Sequence, residues 1–196
     1  MIKKIFVICI LIIFILSAIA CSSLRFSQLA PEAKDFHPQR VAIFPADAVN
    51  YEEAKGVVEK VVARVLVEKK WFTNVIDAEN FNRQILVNEE LRKAIKEYLS
   101  KLSTLDFSDP DLSRKIGELV KADAFLLVSV DAWNYATEKD KKMAKVSLTM
   151  KSYEASTGKR MWKAGHDITE NYILIKPDLS EVARNVTRDM VKEMPH

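Results

Sequence analysis

Two thiols, three imidazoles and 27 carboxylates are this chain's inventory for covalent, metal or acid–base chemistry. A structural or catalytic metal needs several Cys or His ligands converging, usually announced by close spacing. Here His37, His166 and His196 are scattered without an i, i+4 pair, and both thiols, Cys9 and Cys21, fall in the opening segment. No metal and no cofactor is therefore expected. Among only four glycines there is no G-x-S-x-G elbow, no phosphate loop and no G-x-G-x-x-G fingerprint. Asp109 and Asp111 are spaced for paired-carboxylate work, yet they flank Pro110 in "SDPDL", where a capped helix start explains them better. Asn185-Val186-Thr187 matches a glycan acceptor but lies within a helical period. No catalytic residue is assigned, and the chemistry left to account for is that of Cys21.

Its context is an export signal. Lys3 and Lys4 precede an uncharged run from Ile5 to Ala20, too short for the roughly 20 apolar residues of a bilayer-spanning helix and suited to a signal peptide. The run ends Ala18-Ile19-Ala20-Cys21, which resembles the bacterial lipobox, with Ala18 where leucine is usual. The resemblance implies signal-peptidase cleavage between Ala20 and Cys21 and a diacylglyceryl group on the Cys21 sulfur. Two acyl chains, at about 0.8 kcal/mol per buried CH₂, anchor a protein stably without a spanning helix. Two other readings stay open: ordinary cleavage after the A-x-A pattern Ala18-Ile19-Ala20, leaving a free or dimer-forming thiol, and an uncleaved N-terminal anchor. Cys9 leaves with the signal, so no internal disulfide can form and the fold must stand on its core.

Cleavage also changes the charge. Lys3 and Lys4 are lost, leaving 28 basic and 27 acidic side chains. No basic stripe remains to argue for nucleic acid, and none is expected as a partner.

Periodicity then divides the chain into a signal at 1–20, a lipidated cysteine with a flexible tether at 21–38, and one domain at 39–196. The tether, "SSLRFSQLAPEAKDFHP", shows no period and two prolines; a free coil of that length spans roughly 20–25 Å. "RVAIFPAD" (40–47) reads as a short buried strand stopped by Pro45. Residues 51–69 read as a helix with Val58, Val61, Val62, Val65 and Leu66 inward, and 71–77 as a turn and strand centred on Val75 and Ile76. Residues 78–104 are helical with a break near Asn88, and a further helix runs from Pro110 with Leu112, Ile116, Leu119 and Val120 inward. "AFLLVSVDAW" (124–133) is an apolar strand. Clean alternation at 143–152, a turn at Gly158 and a return strand at 160–169 complete a three-stranded antiparallel meander. A last helix opens at Asp178 with Glu181 in a capping-box position. The expected fold class is α/β (α+β): one domain, a mixed central sheet with a C-terminal antiparallel meander, and helices packed on it.

Three stretches carry a resemblance: "VAIFP" before a long helix, "KADAFLLVSV" entering the apolar strand, and "YEASTGKRMW" over the hairpin. The chain resembles, over about residues 40–190, the superfamily of envelope lipoproteins that includes the curli-secretion lipoprotein, the outer-membrane activator of penicillin-binding proteins and the N-terminal domain of TolB. Ser129 replaces the glycine usual in the strand, and Glu154 replaces the usual Asp before the turn. The matching residues Asp123, Gly158 and Trp162 read as structural: a carboxylate satisfying a helix-to-strand turn, a hairpin glycine and an aromatic anchor on a sheet face. The resemblance implies a non-catalytic interaction or assembly module with an envelope protein partner. Ser22 after Cys21 resembles the signal for outer-membrane delivery, facing the periplasm. A membrane pore is not expected, because only 143–152 and 160–169 approach the 9–11 alternating residues that a transmembrane strand needs. Trp133 and Tyr135, just past the apolar strand, either form a partner-binding anchor or pack beneath the following loop. The alternative to a binding module is a wall-modifying or other hydrolase with an unrecognised site.

Overall fold

The structure, a computed structural model, describes residues 24–196. Cys21 and Ala20 lie outside the described residues. Six strands form one mixed sheet: β1 (Phe26–Leu29), β2 (Arg40–Ile43), β3 (Asn74–Ile76), β4 (Ala124–Glu138), β5 (Lys141–Glu154) and β6 (Arg160–Tyr172), in the order β1-β6-β5-β4-β2-β3. β3, β2 and β4 are parallel, whereas β4, β5, β6 and β1 run antiparallel in succession. The helices are α1 (Val57–Lys69), α2 (Ala78–Val87), α3 (Glu89–Leu105), α4 (Pro110–Val120) and α5 (Leu179–Val191). This is the single-domain mixed α/β sheet with a C-terminal meander expected from the sequence.

Local chemistry sets the boundaries. Asp77 caps α2 by accepting from the Asn80 amide at 2.7 Å. Asn88 ends α2 and starts α3, its side chain accepting from the Leu91 amide at 3.0 Å. Asp109 accepts from the Asp111 and Leu112 amides, with Pro110 in the first turn of α4. Lys101 of α3 reaches forward to Asp109 at 2.7 Å and back to Glu97 at 2.9 Å, and these hydrogen bonds lift the Lys101 ammonium to about 12. Asp178 caps α5 through the Ser180 amide, while Glu181 pairs forward with Arg184 at 3.3 Å. The helix expected over 51–69 begins only at Val57, because Gly56 takes a left-handed φ of 73° that the α-helix cannot continue.

Two layers of helices cover the sheet. On one face α1 and α5 pack on Ile43, Leu126, Val128, Leu148, Met150 and Trp162. On the other, α2, α3 and α4 enclose Ala42, Phe44, Phe125 and Tyr153. Burial drives the Tyr153 phenol up to about 12.

Two departures from the sequence reading matter for function. The meander strands run longer than 124–133, 143–152 and 160–169, because a two-residue turn at Lys139-Asp140, both at positive φ, lets the ladder close to its tip. The segment expected as free tether is largely part of the fold. Phe26–Leu29 pair with Gly165–Trp162, a 3₁₀ turn follows at Pro31–Asp35, and Ala33 and Phe36 are buried. Aperiodic polar composition concealed a strand whose partner lies about 135 residues downstream.

Candidate interaction surface

Three constellations stand out: a clamp beneath the sheet, a latch along its meander edge and a crevice above its parallel strands.

The clamp is Asp123. Its carboxylate accepts from the Gln39 and Arg40 amides at 3.1 and 2.9 Å and from the Arg40 guanidinium at 2.6 Å. Its own amide donates to the Arg40 carbonyl, and its carbonyl accepts from the Ala155 amide. One residue thus ties the starts of β2 and β4 to the end of β5. The Arg40 hydrogen bond holds the Asp123 carboxyl below the usual carboxylate range. A lowered native pKa gives stability that is present above the unfolded value near 3.9 and is lost as pH falls through the native value. Asp123→Asn should therefore be less stable than the parent at pH 7 and should lose less between pH 5 and pH 2. Urea melts across that range check it, and parallel curves would show the ion pair is inert. Nearby, Gly158 turns β5 into β6 at φ 70°, with Ser108 and Pro110 so close that a Cβ would sit 3.1–3.2 Å from them. Trp162 is 1% exposed, its indole N–H donating to the Ser27 hydroxyl at 3.3 Å.

The latch is built from Arg25 and β1. Arg25 donates to Asp131 at 2.6 Å, to the Ser147 hydroxyl at 3.1 Å and to Thr149 at 3.3 Å, bridging β4 and β5. Asp131 faces it because a bulge between Val130 and Ala132 turns that residue out of the ladder. The Phe26 ring lies on Gly165, where a Cβ would come within 2.4 Å of the ring. Arg25 and Lys163 each sit 5.5 Å from the centroid of that ring.

The crevice, about 470 Å³, opens beyond the C-terminal end of β2, against α3. Beyond Pro45 the chain stays on β4, the Asp47 amide donating to the Val128 carbonyl and the Val130 amide to the Asp47 carbonyl, so the β2–β4 seam forms one wall of the crevice and α3 the other. Leu99, Leu102 and Leu127 line its floor; Asp47, Lys96, Lys151 and three serines line its rim. Among the described residues, no group of three or more His, Cys, Asp or Glu side chains is placed to hold a metal.

The fold is similar to that of PelC. The PelC dodecamer from Paraburkholderia phytofirmans superposes with a TM-score of 0.54 at 15% identity, covering 87% of this chain and 95% of PelC. Lipoprotein GNA1162 from Neisseria meningitidis matches with a TM-score of 0.50 at 15% identity, over 79% of this chain and 99% of its own. The hypothetical protein CT253 from Chlamydia trachomatis gives 0.51 at 8% identity, over 78% and 93%. No protein-family model and no curated protein matches the sequence. At these identities the likeness is one of fold, and the fold is one that a bacterial lipoprotein uses.

Within the PelC-like fold, Trp133 and Tyr135 do not form an exposed anchor. Trp133 is 4% exposed and belongs to the core of the layer that α1 and α5 cover. The bulge at Asp131 shifts the alternation by one residue, which turns Trp133 inward. Tyr135 packs under the loop after β6: its hydroxyl donates to the Pro177 carbonyl at 2.7 Å, Tyr172 meets it edge-on at 6.2 Å, and the Lys176 ammonium lies 3.4 Å from its ring centroid. Tyr135 thus lies beneath the loop, whereas Trp133 lies in the core. Sequence reasoning missed Arg25, Phe26 and Gly165 altogether. An arginine–aromatic pair in a supposed tether was the available signal.

Proposed function

We propose that this chain is a membrane-anchored lipoprotein of the bacterial envelope, facing the periplasm from the outer membrane, and that its domain is a non-catalytic interaction and assembly module. Residues 1–20 are the signal peptide, and Cys21 carries the diacylglyceryl group. The observation that carries the reading is the latch: from Phe26 the chain is a strand of the sheet, five residues after the lipidated cysteine. A domain tied this closely works at its own membrane surface and meets partners that come to it. The shared fold with lipoprotein GNA1162 and with PelC, a dodecamer, supports a lipid-anchored module that assembles with copies of itself or with an envelope protein. The crevice, with an apolar floor and a mixed rim, offers such a partner a socket for one or two large side chains.

The test is expression of the full chain in a two-membrane bacterium, intact-mass measurement, and crosslinking in isolated membranes before detergent extraction. The expected result is loss of residues 1–20, the mass of a diacylglyceryl group on Cys21, and a reproducible crosslinked species. Ser103→Trp, an exposed position on the crevice rim, should plug the socket and cut the crosslinked yield about ten-fold with the melting temperature unchanged. A full-length unmodified chain would sink the anchor. An acylated chain that crosslinks to nothing would sink the module.

A further inference from the structure

Three consecutive aliphatic side chains, Ile173, Leu174 and Ile175, follow β6 and are 85%, 93% and 86% exposed. Loops that serve only to connect elements carry polar residues facing water, and a contiguous aliphatic run of this kind marks a contact surface. This loop is held in place from behind. Pro177 accepts the Tyr135 hydroxyl, Lys176 covers the Tyr135 ring, and Tyr172 packs against it.

Its position in the fold identifies what covers it. β6 ends at Tyr172 beside Lys142, next to the β4–β5 turn at Lys139-Asp140, so the aliphatic loop and the hairpin tip share one end of the molecule. β1 runs antiparallel to β6 with Phe26 opposite Gly165, so the chain N-terminal to Phe26 heads toward that same end. Cys21 lies at most about 11 Å from Leu24, at roughly 3.6 Å per residue. An anchor at Cys21 can therefore reach toward the end of the domain that carries Ile173, Leu174 and Ile175. The charges there are Lys139, Lys141, Lys142, Lys145 and Lys176 against Glu138, Asp140, Glu170 and Asp178. An aliphatic loop backed by two tyrosines and ringed by a lysine excess has the make-up of an interfacial membrane contact, in which aliphatic groups enter the acyl boundary, tyrosines sit at headgroup level and lysines meet anionic lipid.

We infer that the Ile173–Ile175 loop and the β4–β5 tip dock on the bilayer that holds the Cys21 anchor, as a second contact that fixes the domain's orientation and prefers anionic lipid. The inference rests on the reading of Cys21 as the lipid anchor, which supplies the direction of the membrane. Its consequence is a domain standing with the hairpin tip down and the β5–β6 turn at Gly158 away from the membrane.

The test uses the acylated chain purified from membranes, its Cys21 modification checked by intact mass, and reconstituted in vesicles of phosphatidylethanolamine and phosphatidylglycerol. Leu174→Cys carries an environment-sensitive dye in one sample and Val87→Cys in another. Val87, 87% exposed, shares a surface hollow with Asn74 at the start of β3, at the end opposite the tip. Brominated lipids should quench the Leu174 dye by about half or more and leave the Val87 dye unchanged. Lys139→Glu, Lys141→Glu and Lys142→Glu together should reduce that quenching in phosphatidylglycerol vesicles and not in neutral ones. An acylated chain whose Leu174 dye stays open to a water-soluble quencher, or is shielded from water without lipid quenching, would overturn the docking and leave the anchor standing. Equal quenching at both sites would overturn the fixed orientation. Unmodified Cys21 in the intact mass would remove the anchor and the inference with it.

Discussion

Phe44→Ala is expected to lower the unfolding free energy by about 3–5 kcal/mol. Phe44 is 1% exposed at the end of β2, where Pro45 stops the strand. Its ring stacks on Phe81 of α2 at 4.6 Å, meets Phe125 of β4 at 5.1 Å and lies edge-on to Tyr98 of α3 at 6.3 Å. One side chain therefore joins two helices to two strands. Truncation leaves a cavity lined by three rings that are each fixed by other contacts, so the site cannot collapse cheaply. The cavity would open beside the Leu102–Leu127 floor of the crevice, so partner crosslinking should suffer with stability. Phe107→Ala, at a 49% exposed position after α3, should change stability by less than about 0.5 kcal/mol and serves as the control. Urea titration of both variants decides the matter. A loss below 1 kcal/mol at Phe44 would mean that this aromatic cluster is not the core of its layer.

Gly165→Val is expected to unlatch β1. The added Cβ would sit 2.4 Å from the Phe26 ring and 2.8 Å from the Arg25 guanidinium, distances that no side chain tolerates without moving one of them. The ring must leave Gly165, and the Arg25 hydrogen bonds to Asp131, Ser147 and Thr149 are disturbed at the same time. Overpacking of this kind costs about 1–3 kcal/mol, and here it falls on a four-residue edge strand rather than on the whole fold. The Ala30 amide, which donates to the Met161 carbonyl at 2.9 Å, reports the event. Its hydrogen exchange should accelerate about 10–100-fold, and trypsin should cut after Arg25 far faster than in the parent. Amides of β4 and β5 should keep their protection. With the latch open, residues 22–30 would span roughly 15–18 Å as a coil, and a domain held at the bilayer would be free to swing away from it. Unchanged exchange at Ala30 would show that the Phe26 ring relocates without releasing the strand.

Most of the element pattern was readable from residues that act locally. The α1 face at Val58, Val61, Val62, Val65 and Leu66, the caps at Asp109 and Asp178, the break at Asn88 and the meander alternation depend only on neighbours within a few positions, and the structure carries them all. The resemblance of Ala18–Cys21 to a lipobox is local as well, being carried by four adjacent residues. What tertiary structure decided has partners far away. β1 is a strand only because β6 offers an edge and Gly165 leaves room for Phe26. Trp133 is buried only because the bulge at Asp131 shifts its register. The aliphatic run at Ile173–Ile175 has the composition of a core strand; it is exposed because the ladder ends at Tyr172 and α5 does not begin until Leu179. Hydrophobic pattern specifies what each segment would bury, whereas the path of the backbone decides which of those faces finds a partner inside the domain and which is left for another surface.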